Sequence, residues 1–170
     1  MNKSTKKKTF AFIMTLITIV LTISLLVPSF SAMRGGKKSD GIGYGYGGED
    51  CTRTHGYWKN YPNDWPVEEI TIGGILYTKE QAIDILKTPV QDDMTIAMFY
   101  QLAAAMLNVY IVAAYECIDQ TVYDADDWMA DNPLGSEVDA SSEAWEIGEP
   151  LKDLLDDYNN GLMCAPHCDW

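Results

Sequence analysis

The sequence predicts a mainly α-helical, compact domain that carries a small β-hairpin and two disulfides and follows a signal segment and a Gly-rich linker. Three observations predict it. Residues 78–159 show helix-start residues followed by apolar side chains at three- and four-residue spacing. Residues 69–77 place a Gly-Gly pair between two β-rich arms. Four cysteines, Cys51, Cys117, Cys164 and Cys168, follow an N-terminal run suited to export.

The export segment comes first. Lys3, Lys6, Lys7 and Lys8 make a basic start, and Phe10 to Val27 is free of charge. Pro28 ends that run, and Ser29-Phe30-Ser31 sets small residues at the spacing a signal peptidase reads, so cleavage is expected between Ser31 and Ala32. The apolar run is close to the ~18 residues that can span a bilayer, which makes an uncleaved N-terminal anchor the alternative. In both cases the C-terminal part is placed outside the cytoplasm, because no second apolar run of spanning length follows. Residues 1–31 are thus the signal peptide or anchor. Residues 32–50 are a flexible linker: Gly41 to Gly48 alternates Gly with Tyr and Ile and cannot bury enough apolar surface to fold alone. A Tyr/Gly repeat can self-associate weakly; a spacer is the expectation here. Residues 51–170 form the disulfide-stapled helical domain.

Charge narrows the partners. The first 31 residues hold four Lys and no acid, so the remaining chain keeps 8 basic against 25 acidic residues, a net charge of −17. Nucleic acid and anionic membrane surfaces both need clustered Lys and Arg, so neither is expected as a partner; membrane contact is expected only through an uncleaved N-terminal segment. A well-solvated acidic surface keeps an exported protein soluble. Cation binding or adaptation to high salt would make the same surface functional.

Within the domain, residues 51–66 read as an irregular aromatic segment, with Tyr57, Trp58, Tyr61 and Trp65 among Gly, Asn, Asp and Pro. Trp58 is expected inside, because Gly56 lets the chain turn there and Lys59 leads back to water. Trp65, beside Pro66, is expected at the surface. Glu69 to Tyr77 reads as the hairpin, turning at Gly73-Gly74, with Ile70 and Ile72 on its buried face. Thr78-Lys-Glu-Gln81 is a capping box that opens a helix with Ala82, Ile83, Ile85 and Leu86 buried, stopped by Pro89. Asp92 or Asp93 caps a second helix from about Met94 to Ala114. Its apolar residues, Ile96, Phe99, Tyr100, Leu102, Ala103, Met106, Leu107 and Tyr110, cover more than one stripe, which marks a central helix. Gln101 and Asn108 interrupt it as a membrane span. A third helix is expected over Ile118 to Ala130, with Val122, Ala125 and Met129 inside. A polar loop, 132–141, precedes a last helical region from Ser142 to Asn159, bent or restarted at Pro150 and ended by Gly161, with Leu151, Leu154, Leu155 and Tyr158 on one face.

Four cysteines allow three disulfide pairings. Their spacing is not that of a zinc site; Cys164, His167 and Cys168 lie close together, but oxidised cysteines do not bind zinc.

The run Cys51-Thr-Arg-Thr-His-Gly-Tyr-Trp-Lys-Asn60 with Trp65-Pro66 resembles the C-T-x-T-x-G-Y-W-K segment of uncharacterised secreted or surface-attached proteins of bacteria and archaea. The likeness continues through Tyr77-Thr78-Lys79, Ile85 to Val90, Gln101 to Asn108, Tyr158 to Gly161 and Pro166-His167-Cys168, nearly all of residues 51–168. His55 stands where that group often holds Gln or Pro, and Tyr61 where a His often follows the Lys-Asn pair, which weakens any shared His-based site. The resemblance implies export and a compact domain, and brings with it no established enzymatic activity. It pairs the first motif with the last, Cys51 with Cys168, and so leaves Cys117 for Cys164.

Catalytic patterns are sparse. His55 and His167 are the two histidines. If Cys51 bonds Cys168 they fall in neighbouring segments, where Asp50 or Asp169 could join them in holding a transition metal; loop-packing histidines are the plainer reading, and no metal or other cofactor is expected. Asp119, Asp124, Asp126, Asp127 and Asp131 suggest calcium, but counting from Asp124 puts Trp128 and Met129 where an EF-hand loop needs an oxygen and a Gly. A glycosidase needs two acids across a cleft, and small helices leave little room for one. The expectation is a non-catalytic secreted or cell-surface module, in cell-envelope structure or adhesion, whose partner is an envelope component or another surface protein. The alternative is a carbohydrate-binding module stacking a glycan on Tyr57, Trp58, Tyr61 and Trp65; a small secreted hydrolase is a further, weaker one.

Overall fold

The computed structural model describes residues 50–112 and 115–168. The segment expected to direct export, its expected cleavage site, the expected linker up to Glu49, and Asp169 lie outside the described residues. Among the described residues the chain runs α1 (His55–Asn60), a 3-10 turn (Pro62–Asp64), β1 (Glu69–Ile72), β2 (Ile75–Thr78), α2 (Lys79–Lys87), α3 (Met94–Ile111), α4 (Asp119–Asp131) and α5 (Glu143–Asn159). It is mainly helical, with one two-stranded antiparallel hairpin and two disulfides.

α3 is the centre. It packs against α1, α2, α4, α5 and β1, and Met98, Phe99, Leu102, Ala103, Ala104, Ala105 and Leu107 are fully enclosed. Its length and hydropathy would suffice to cross a membrane, yet more than half of it is buried within the domain. A helix apolar on several faces can be satisfied by neighbours on each of them. Ile96, Tyr100 and Met106 are only half-buried and Tyr110 is exposed, so this side of α3 is less enclosed than the rest. Asp93 is the N-cap: its Oδ1 accepts from the Thr95 N–H at 3.0 Å. The same carboxylate accepts from the N–H groups of Gly135 (3.1 Å) and Val138 (3.3 Å), so one acid both starts α3 and pins the 132–141 loop.

The hairpin turns at Gly73 and Gly74, both at positive φ (57° and 73°), the pair of left-handed positions a tight two-residue turn needs. Ile70 and Ile72 are buried. The turn rests directly on α4: a side chain at Gly73 would meet the Met129 backbone at 2.7 Å, and the Gly73 N–H donates to Asp126 at 2.7 Å. Asp126, one of the acids whose grouping in the sequence suggests calcium, is therefore a hairpin anchor. The capping box of α2 is complete, with Thr78 and Gln81 each accepting from the other's backbone N–H.

Other expectations change as well. Residues 54–64 are not irregular: the Thr54 hydroxyl accepts from the Tyr57 N–H and caps α1, which tertiary packing of Trp58 then holds despite its short length. α5 runs through Pro150 as one helix; Pro150 and Glu146, whose carbonyl loses its partner, are both exposed, so water can replace the missing N–H. Leu154 is 42% exposed, because the inward stripe of α5 runs through Trp145, Gly148, Leu155, Tyr158 and Asn159 and leaves Leu154 on its flank. Trp128, outside the expected core of α4, is buried: its indole N–H donates to the Ala144 carbonyl at 2.9 Å, and its ring lies edge-on to Trp145 and so close to Gly148 that a Cβ there would sit 2.8 Å away.

Candidate functional site

The opening motif divides between two sides of α1. On the inner side, Trp58 is 1% exposed and its indole N–H donates to Asn108 Oδ1 at 3.3 Å. Asn108 also clamps the backbone of Arg53, accepting from its N–H at 2.9 Å and donating to its carbonyl at 2.8 Å. The Asn108 amide donates onward to Asn159 Oδ1, and Asn159 donates to the carbonyl and the side-chain oxygen of Gln101, each at 2.9 Å. This ladder joins the motif, α3 and α5, and satisfies polar groups that would be costly to bury alone. Gln101 and Asn108, which read as interruptions of an apolar helix, are thus its internal fasteners.

Trp65 is 6% exposed, against the expectation of a surface position. The 3-10 turn at Pro62–Asp64 folds the chain back over α1, and the Trp65 indole N–H donates to the Trp58 carbonyl at 2.7 Å. Trp58 and Trp65 therefore offer no face for a ligand to stack on, and of the four aromatics of this segment Tyr57 and Tyr61 remain accessible.

On the outer side, the four-residue spacing of Arg53, Tyr57 and Tyr61 forms a row. The Arg53 guanidinium lies 4.2 Å from the centre of the Tyr57 ring. Tyr61 stacks on Tyr57 with centroids 4.7 Å apart and planes 26° from parallel. Tyr61 is 47% exposed. The Tyr57 hydroxyl donates to Asp64. Burial, and then that bond to Asp64, push the Tyr57 hydroxyl above its ordinary pKa, so it stays protonated.

His55 and His167 serve different places. His55 opens α1 and stacks on Tyr100 at 5.2 Å, whose hydroxyl donates to the Thr88 carbonyl. Burial and the nearby Lys59 charge lower its pKa, against the opposing charge of Asp156. His167 lies in the C-terminal tail, in a parallel bridge with Thr52. Among the described residues, no three His, Cys, Asp or Glu side chains converge as a metal site would require.

That tail is fastened to the motif by a disulfide between Cys51 and Cys168, 5.0 Å apart at Cα, and by backbone bonds from Thr52 to the Pro166 carbonyl (2.8 Å) and from Cys168 to the Thr52 carbonyl (3.0 Å). Cys117, just before α4, is bonded to Cys164. Two such bridges are consistent with an oxidising, extracellular environment. No protein-family profile matches the chain, and neither a curated protein nor a solved structure matches it.

Proposed function

We propose that the chain is an exported, non-catalytic module of the cell envelope, working in envelope structure or adhesion, as its resemblance to secreted and surface-attached proteins also implies. The observation that carries this reading is the fastening at the point where the linker enters. Cys51 is the first residue of the domain and is covalently bonded to Cys168, and Arg53 is clamped two residues later by Asn108. A load applied through the linker reaches a covalent bond and a buried hydrogen-bond ladder before it reaches any helix, which suits a tethered module. The exposed side of α1 begins immediately beyond that fastening.

The test is location and binding in the native host. Protease applied to intact cells is expected to remove the chain, and the purified oxidised chain is expected to sediment with the host's envelope fraction. Recovery solely from the cytosol, protected from protease, would overturn the reading. A carbohydrate-binding role is the second reading, favoured by the exposed Tyr61, which stacks on the half-buried Tyr57.

A further inference from the structure

The geometry points to a binding site for neutral saccharide chains on the outer side of α1, with Tyr61, backed by Tyr57, as its stacking surface and Arg53 and Asp64 as its hydroxyl-recognising pair. The inference rests on the envelope reading above and names the chemistry of its contact.

A pyranose ring presents a face of C–H groups and a rim of hydroxyls. An aromatic face takes the first through apolar burial and dispersion. Planar charged groups take adjacent hydroxyls, a guanidinium as donor and a carboxylate as acceptor. Both kinds of group stand together here. Tyr61 turns nearly half of its surface to solvent. The Arg53 guanidinium sits over the Tyr57 ring, its central carbon 4.2 Å from the ring centre, and a cation held over a ring in this way keeps N–H groups that can donate to a ligand. Lys79, Lys87 and Lys152 are each paired with an acid, whereas among the described residues no carboxylate lies within 4.0 Å of Arg53. Asp64 is exposed and receives the Tyr57 hydroxyl on one oxygen, so its second oxygen can accept from a ligand. Arg53 and Tyr61 are separated by no more than the two ring spacings of 4.2 Å and 4.7 Å, within the reach of neighbouring units of one chain.

The site is held before any ligand arrives. Thr54 caps α1, Trp58 roots it, Trp65 bonds back onto it, and Asn108 grips the Arg53 backbone on both its N–H and its carbonyl. Little ordering remains to be done on binding. Charge selects a neutral ligand. Residues 51–170 hold five cations, Arg53, Lys59, Lys79, Lys87 and Lys152, against 22 acids. A polyanion is repelled by that surface, and a polycation would bind over the whole of it rather than at α1.

The experiment is native electrophoresis of the exported chain, disulfides intact, through gels containing galactomannan, hydroxyethyl cellulose or β-1,3-glucan, with alginate and chitosan as charged comparisons. Retardation by at least one neutral polymer is expected, persisting at raised salt. Tyr61→Ala and Arg53→Ala should each weaken it about tenfold, with melting temperatures unchanged. Tyr123→Ala, which alters an exposed tyrosine on α4, should bind as the parent. Retardation by no neutral polymer, retardation by chitosan alone that salt abolishes, or full binding by Tyr61→Ala would overturn the inference. Sedimentation with host envelopes in the absence of neutral-glycan binding would remove the saccharide site and leave the envelope reading standing; absence of both would remove both.

Discussion

Asn108 of α3 donates to Asn159 of α5 across 2.9 Å in the middle of the domain, and neither side chain reaches solvent. The pair is one rung of a ladder that also holds Arg53, Trp58 and Gln101. Replacing Asn108 by Ala takes away the partner of the part-buried Arg53 N–H and carbonyl and of the buried Trp58 indole N–H and Asn159 Oδ1. At roughly 1–3 kcal/mol for each unsatisfied buried group, partly relieved by water, a loss of about 3 kcal/mol or more is expected. Urea denaturation of the two proteins measures it, and a midpoint shift worth less than about 1 kcal/mol would show that the ladder is not a fastener.

Trp58→Ala and Trp65→Ala should both lower the melting temperature, the first by the ~3–5 kcal/mol typical of a truncated buried aromatic. Trp65 is also buried and hydrogen-bonded to Trp58, so its loss should also be felt inside the fold. Thermal melts of the two variants beside the parent decide this. A melt unchanged in Trp65→Ala would return that side chain to the surface.

The disulfides should open in a fixed order. Cys117 and Cys164 are exposed, whereas Cys51 and Cys168 are buried. Limited dithiothreitol followed by alkylation and peptide mapping should therefore label Cys117 and Cys164 first, and the non-reduced digest should yield Cys51–Cys168 and Cys117–Cys164 peptides. In the chain-entropy picture, loops of 117 and 47 residues stabilise by about 4.9 and about 4 kcal/mol. Removing the outer bridge should destabilise more.

Alkaline pH should find Tyr158 last. Its hydroxyl is buried with no hydrogen-bond partner among the described residues. Burial, and then the negative charge of Asp50, push its pKa from 10.0 up to about 12. The unfolded chain ionises first, so the contribution of this group to stability is whole below about pH 10 and disappears as pH rises through about 12. Ultraviolet titration followed alongside circular dichroism should show one tyrosine ionising only as the fold is lost. Tyr158→Phe, which removes the orphan hydroxyl without emptying the space, should fold normally and resist alkali further.

Local chemistry made several elements legible from the chain alone. The Gly73-Gly74 turn, the Thr78–Gln81 capping box and the Asp93 cap depend on residues within four positions of one another, and each stands where local rules place it. The two disulfides also match the pairing that the resemblance implied. α1 was hidden because a helix of six residues is marginal by propensity and exists here only because Trp58 finds Asn108, a partner fifty positions away.

The aromatic segment shows where sequence reasoning stops. Tyr57, Trp58, Tyr61 and Trp65 have the same composition whether they form a core or a ligand platform. The sequence by itself determined the helical class, the hairpin, the caps and the acidic surface, since these follow from periodicity, turn residues and counted charge. Tertiary structure alone decided that two of those aromatics face inward and two outward, that Gln101, Asn108 and Asn159 form one ladder, and that Asp126 holds a turn. Burial and hydrogen-bond partnership between distant residues depend on which elements pack together, and no local pattern encodes that choice.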